Sequence, residues 1–185
     1  MKEPKSAFIA IVGCPNVGKS SILNRLLGEK IAIVSPKPQT TRTKILGVLT
    51  KNDTQLVFTD TPGYHKPKTK LGEKMVKAVS SGLHDVDACL LVVEPKGEIR
   101  EAEQTLIKKI KKEGIPAVLA INKIDTVEDK TLLLARIAAF SALCDFAAVV
   151  PVSARDGSGM RELLEELEKL SVPCEHRSLR SLPCH

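Results

Sequence analysis

Aromatic residues are scarce in this 185-residue sequence: tryptophan is absent, tyrosine occurs once and phenylalanine four times. Proteins that hold single-stranded nucleic acid stack its bases on aromatic side chains, so a formal charge of +6 attracts polyanions here while supplying few stacking platforms. Long apolar runs are missing as well. The longest, such as Ala88 to Val93, is strand-sized, against the roughly 20 residues that a membrane-spanning helix needs. No bilayer span is expected. Met1 to Ser6 leads into a short apolar stretch ending at Gly13 without a signal-peptide core or cleavage pattern. The five cysteines, Cys14, Cys89, Cys144, Cys174 and Cys184, form no regular framework. Their odd number suits free thiols in a reducing compartment, and a cytoplasmic location is the expectation. No internal repeat is present.

At 43% hydrophobic, the chain has enough material for one buried core and too little for two ordinary domains. Ala7 to Val12 is a continuous Ile/Val-rich run that reads as a strand buried on both faces. Ser20 to Leu27 follows with apolar residues at helical spacing and Gly28 as its stop. Ser35 to Thr43, with two prolines and three threonines, reads as a polar loop. Ile45 to Thr50 and Gln55 to Thr59 flank the turn-favouring residues Lys51, Asn52 and Asp53, which predicts an antiparallel hairpin. Leu71, Met75, Val79 and Leu83 mark one helix stripe. Strand-like runs at Ala88 to Val93, Ala117 to Ile121 and Ala147 to Val152 then alternate with helical patterns at Arg100 to Glu113, Glu128 to Leu143 and Met160 to Leu170. Such alternation calls for an α/β fold: a mainly parallel six-stranded sheet with one antiparallel strand and helices on both faces. Ser171 to His185 loses all periodicity and reads as an irregular tail. Its Cys174, His176, Cys184 and His185 lack the paired short spacing of structural zinc ligands, so no zinc site is expected there.

Gly13, Cys14, Pro15, Asn16, Val17, Gly18, Lys19 and Ser20 match GxxxxGK(S/T) between a buried strand and a helix, the context of a phosphate-binding loop. Glycines let the backbone N–H groups turn inward, and the helix N-terminus adds positive potential. Lys19 is the expected partner of the β- and γ-phosphates, and the Ser20 hydroxyl an expected Mg²⁺ ligand. Ser21, next in the helix, is grouped with the nucleotide-binding residues.

Asp60, Thr61, Pro62 and Gly63 form DTPG at the end of an apolar strand. The Asp60 carboxylate is expected to hold Mg²⁺ through a water, and the Gly63 N–H to sense the γ-phosphate. Taken alone, an aspartate before Pro-Gly is usually only a turn. Asn122, Lys123, Ile124 and Asp125 form NKID after another strand. Guanine offers N1–H and an exocyclic NH₂ side by side, and the Asp125 carboxylate can accept both; adenine lacks that donor pair and would leave the carboxylate unpaired. Lys123 can lay its stem along the base, and Asn122 can brace the loop and contact the base edge. Ser153, Ala154 and Arg155 follow the next strand, where the Ala154 N–H can reach the guanine oxygen.

With GCPNVGKS, QTTR, DTPG, NKID and SAR in this order, the chain resembles the translation-factor-like GTPases, specifically the Era family of ribosome-assembly GTPases. The resemblance implies a three-layer P-loop NTPase fold of the Ras-like G-domain type over residues 5–170. It also implies a slow Mg²⁺-dependent GTPase that acts on the small ribosomal subunit, binds its rRNA and sometimes associates peripherally with membranes. A monomer is expected. Thr41, the second threonine of QTTR, matches the residue that closes over Mg²⁺ in the GTP state, with Thr40 as the fallback. Where the Ras-like branch has a water-orienting glutamine after DTPG, this sequence has Tyr64, so hydrolysis needs other assistance. Asn16 matches an asparagine that helps hold K⁺ near the phosphates in similar GTPases, a cation able to neutralise developing charge; the alternative is that Asn16 only braces the loop.

Family members continue into a KH domain whose GxxG loop clamps RNA. No two glycines here lie three apart, so no KH domain is expected within the sequence, and residues 171–185 form only a tail. Lys66, Lys68, Lys70, Lys74 and Lys77, and Lys108, Lys109, Lys111 and Lys112, remain as basic runs; such runs are mostly solvated helix faces. Three readings are therefore open: a slow GTPase, a nucleotide-binding switch that needs a partner to hydrolyse GTP, and an RNA-binding protein that uses nucleotide for structure. The missing glutamine favours the second over a fast enzyme, and the missing GxxG weighs against the third.

Overall fold

A computed structural model describes residues 4–28, 44–60 and 86–173. The chain runs β1 (Lys5–Gly13), α1 (Lys19–Leu27), β2 (Lys44–Lys51), β3 (Thr54–Asp60), β4 (Ala88–Val93), α2 (Glu101–Glu113), β5 (Ala117–Ile121), a 3₁₀ turn (Ile124–Thr126), α3 (Lys130–Leu143), β6 (Ala148–Pro151), α4 (Met160–Lys169) and β7 (Val172–Pro173). The sheet order is β2-β3-β1-β4-β5-β6. All of these pairings are parallel except the β2-β3 hairpin, whose turn holds Asn52 at φ 52.

The strands β4 and β5 are apolar throughout, and β1 from Ala7 onward, because each face of the sheet has its own helices to bury against. Side chains alternate across a strand, so Ala7, Ile9 and Ile11 of β1 join one core with Ile22 and Leu26 of α1 and Leu163 and Leu167 of α4. Ala10 and Val12 join a second core with Leu106, Ile107 and Ile110 of α2 and Phe140 of α3. This is the three-layer α/β arrangement that the alternation predicts. Burying each such Leu, Ile or Phe is worth about 1.5–3 kcal/mol.

Most element ends fall within one or two residues of the sequence expectation, and two of the differences have a visible cause. The third helix starts at Lys130 rather than Glu128, because the Asp129 carboxylate accepts the Thr131 N–H at 2.8 Å and so serves as the N-cap. Val172–Pro173, read as the start of a loose tail, forms a seventh strand antiparallel to Lys5 and Ser6. The reason lies in the register: β4 pairs with β1 only from Ile9 onward, which leaves the first residues of β1 an open edge on that side. The helix expected around Leu71 to Leu83, the Ser35 to Thr43 loop and the Cys/His residues of the tail lie outside the described residues.

Candidate functional site

The parallel strands end level with one another. Ile11 is opposite Asp60, Gly13 opposite Val92, Val93 opposite Ile121, and Ile121 opposite Pro151. The segments that follow β1, β4, β5 and β6 therefore emerge along one edge, as does Asp60 at the end of β3. From β1 the chain passes to β2 and β3 on one side, then to β4 on the other. Such a switch point opens a crevice at the carboxyl ends of the strands, where α/β sheets bind ligands.

The loop after β1 is set by its glycines. Gly13 has φ 155 and Gly18 φ 95; a Cβ at Gly13 would collide with the Val92 carbonyl oxygen, and one at Gly18 with the Asn122 side-chain nitrogen. Asn16 also adopts positive φ, 63°. Gly18 caps α1 with no side-chain hydrogen bond, and no acidic residue stands in the first turn of the helix. The N-terminal N–H groups of α1 thus face no competing anion on the helix itself, which suits an anionic ligand. Lys19 folds back over the loop, its Nζ donating to the carbonyls of Gly13 at 2.9 Å and Cys14 at 2.8 Å. Ser20 and Ser21 are exposed at the helix start, as are Pro15 and Asn16 in the loop, while Cys14 and Val17 are buried. Burial first of all pushes the Cys14 thiol above its ordinary range, so it packs as a neutral side chain.

On the other side of the crevice, Asn122 is buried and uses both ends of its amide. Its Nδ2 donates to the Val17 carbonyl at 2.9 Å, and its Oδ1 accepts the Ala154 N–H at 3.1 Å. One side chain thereby ties together the loops after β1, β5 and β6. Lys123, at φ 65, donates to the Asn16 carbonyl at 2.6 Å. The Asp125 carboxylate accepts the Ser153 hydroxyl at 2.8 Å and lies 3.7 Å from the Arg155 guanidinium. Ser153 is fully buried, and its oxygen also accepts the Asp156 N–H at 3.3 Å. Arg155 is 87% exposed, so this ion pair adds little; the hydroxyl is what orients the carboxylate.

Glu94, directly after β4, is absent from the sequence reading. Its Oε1 accepts Lys123 Nζ at 2.6 Å and its Oε2 accepts Arg100 at 2.8 Å. The Lys123 hydrogen bond, foremost, holds its carboxyl below the usual range. Its signal was positional: like Asp60 and Asn122, it is the polar residue that ends an apolar strand at this edge. Asp60 closes β3 beside β1, while Thr41, Thr61, Pro62 and Gly63 lie outside the described residues, as do the lysines from Lys66 to Lys77. Of the second basic run, Lys111 donates to the Leu143 carbonyl at the end of α3 and so serves partly as a helix cap. Among the described residues no group of three or more His, Cys, Asp or Glu could hold a metal ion.

A family profile described as "50S ribosome-binding GTPase" matches residues 8–123. GTPase Era of Clostridium kluyveri is 46% identical over 165 residues, which cover 89% of this chain and 56% of that protein. Among solved structures, Era in complex with MgGDPNP and nucleotides 1506–1542 of 16S ribosomal RNA superposes with a TM-score of 0.75 at 34% identity, covering 97% of this chain and 61% of that one. A tyrosine-to-alanine variant of Aquifex aeolicus Era bound to GDP and AlF₄⁻ gives 0.71 at 33% identity, covering 96% and 61%. The chain thus spans between 56% and 61% of the length of these relatives. Because the profile runs from within β1 through NKID's lysine and the likeness to Era extends over nine-tenths of the sequence, the protein belongs to the 50S ribosome-binding GTPase family as an Era-like member.

Proposed function

We propose that this chain binds GTP and GDP with Mg²⁺ and hydrolyses GTP slowly as a molecular switch, with residues 5–170 as the G domain, the short strand Val172–Pro173 joined to its sheet, and the residues after it as a tail. The observation that carries the reading is the Asn122 amide, which joins the loop suited to phosphate with the loops suited to guanine. The Gly13 to Ser21 segment takes the phosphates on its backbone N–H groups, and Lys19 exchanges its loop carbonyls for phosphate oxygens. Asp125, already oriented by Ser153, accepts the two guanine donors, Lys123 lies along the base, and Ala154 offers its N–H to the guanine oxygen. The exposed Ser20 hydroxyl and the position of Asp60 fit the oxygen ligands of Mg²⁺, with Thr41 joining them and Thr61, Pro62 and Gly63 answering the γ-phosphate. The metal's chemistry is to neutralise charge on the phosphates.

K⁺, held with help from Asn16, is proposed as the assisting cation in place of the glutamine that Tyr64 replaces. The bracing alternative has its own support, since the Asn16 carbonyl receives Lys123. The same absence of glutamine favours a second reading, a switch with negligible turnover until a partner assists. The partners proposed are small-subunit rRNA and the ribosomal subunit, by likeness to the Era–16S complex. The family profile instead names the 50S subunit. A cytoplasmic monomer that associates peripherally with membranes completes the reading. No helix among the described residues is long and apolar enough to cross a membrane.

Phosphate release from GTP in K⁺ and in Na⁺ at matched ionic strength, beside a GDP titration, tests this. Faster release in K⁺ supports cation-assisted hydrolysis, and equal rates remove that role from Asn16. Tight GDP binding without turnover selects the second reading. Unchanged GDP affinity in Lys19→Ala would overturn the phosphate-loop assignment.

A further inference from the structure

The strand β4 lies between β1 and β5, so the residue that leaves its end stands between the two loops of the crevice. That residue is Glu94. Its carboxylate is held from two sides, by Lys123 at 2.6 Å and by Arg100 at 2.8 Å, and its carbonyl accepts Arg136 Nε at 3.1 Å. The Lys123 ammonium in turn divides its donors between Glu94 and the Asn16 carbonyl, 107 positions away in sequence. An ammonium can rotate its three donors freely and sits on a flexible stem. A lysine meant to lie along a base therefore needs an anchor that fixes its head.

We infer that Glu94 is a positioning residue for nucleotide retention, acting through Lys123: it pins the lysine head against the phosphate loop and so keeps the lysine stem and the loop in the arrangement that receives guanine. The inference rests on the proposed guanine-nucleotide reading. Arg100 gives Glu94 a second cation, so the carboxylate keeps its orientation before nucleotide arrives. A charge-assisted hydrogen bond outweighs a neutral one, but both ends are partly exposed, at 26% for Glu94 and 38% for Lys123, which screens the interaction.

The test is a double-mutant cycle on the GDP dissociation rate, with fluorescent GDP as the probe and Glu94→Ala, Lys123→Ala and the double variant compared with the parent chain. Glu94→Ala is expected to release GDP about three- to tenfold faster, and to have almost no further effect once Lys123 is alanine. A role confined to stability would speed release equally in both backgrounds, and that additive result overturns the inference. An unchanged rate in Glu94→Ala also overturns it. Should Glu94→Ala fail to fold, Glu94→Gln keeps the shape and removes the charge, and the same cycle applies. Failure of the parent chain to bind GDP would instead refute the underlying reading.

Discussion

Asn122, immediately after β5, donates its side-chain N–H to the carbonyl of Val17 at 2.9 Å, across 105 positions of sequence and inside the protein. Replacing it by alanine leaves the Val17 carbonyl and the Ala154 N–H without their partner. Buried polar groups orphaned in this way cost about 1–3 kcal/mol each. Asn122→Ala is therefore expected to lower Tm by several degrees, and to weaken GDP binding because the loops after β1, β5 and β6 are no longer tied together. Thermal unfolding with and without GDP measures both.

Gly18→Ala places a methyl group against that same amide, at a φ of 95° that side chains rarely adopt. Backbone strain of this kind costs about 1–3 kcal/mol. Part of the cost is the collision with Asn122, so adding Asn122→Ala should recover some of it. Unfolding of the two single variants and the double variant checks for that less-than-additive sum.

Asp125→Asn exchanges an acceptor for a donor at the carboxylate proposed to receive guanine. GDP affinity is expected to fall by about 1–3 kcal/mol or more, and xanthine nucleotides, which carry an acceptor where guanine has its amino group, should gain. Competition of XDP against GDP reads the switch. Full guanine preference in the variant would place the base elsewhere.

Arg136 joins α2 and α3 to the segment after β4. It is 6% exposed, pairs with the buried Glu103 at 3.5 Å, donates to the Gly97 carbonyl at 2.8 Å and lies over the Phe140 ring at 4.6 Å. Burial, the leading cause, shifts its pKa downward. Arg136→Met leaves Glu103 buried without its cation, at a cost of about 3–5 kcal/mol. Tm should drop steeply, which thermal unfolding of the variant beside the parent chain measures.

The Glu94 carboxyl has its folded-state pKa lowered, first by the Lys123 hydrogen bond. A lowered pKa means that its contribution is complete above the ordinary glutamate value of about 4.3 and is lost as pH falls through the lower folded value. The Tm difference between the parent chain and Glu94→Gln should thus be constant from about pH 7 to 5 and vanish in stronger acid.

The strands at Ala88–Val93 and Ala117–Ile121 have the limits that their sequence predicts, because a strand with helices on both sides is apolar at every position and its ends show as the first polar residues. Glu94 was legible only as such an end. Nothing in its neighbours says that it meets Lys123, since a carboxylate carries no record of which cation will face it. Val172–Pro173 was misread for a related reason: two residues cannot display a period, and their pairing exists only because β4 leaves the start of β1 uncovered.

By itself the sequence determined what is local: the alternation of strands and helices, the glycines that turn the loop after β1, and the order of the motifs. These depend on periodicity and on φ, properties of neighbouring residues. Tertiary structure alone decided how Asn122 bridges three loops, how Glu94 anchors Lys123, and how Arg136 comes to neutralise Glu103. Those partners lie 29 to 105 positions apart; the loop residues meet because the level ends of the parallel strands bring their loops to one edge of the sheet, and Arg136 meets Glu103 because α3 and α2 pack on the same face.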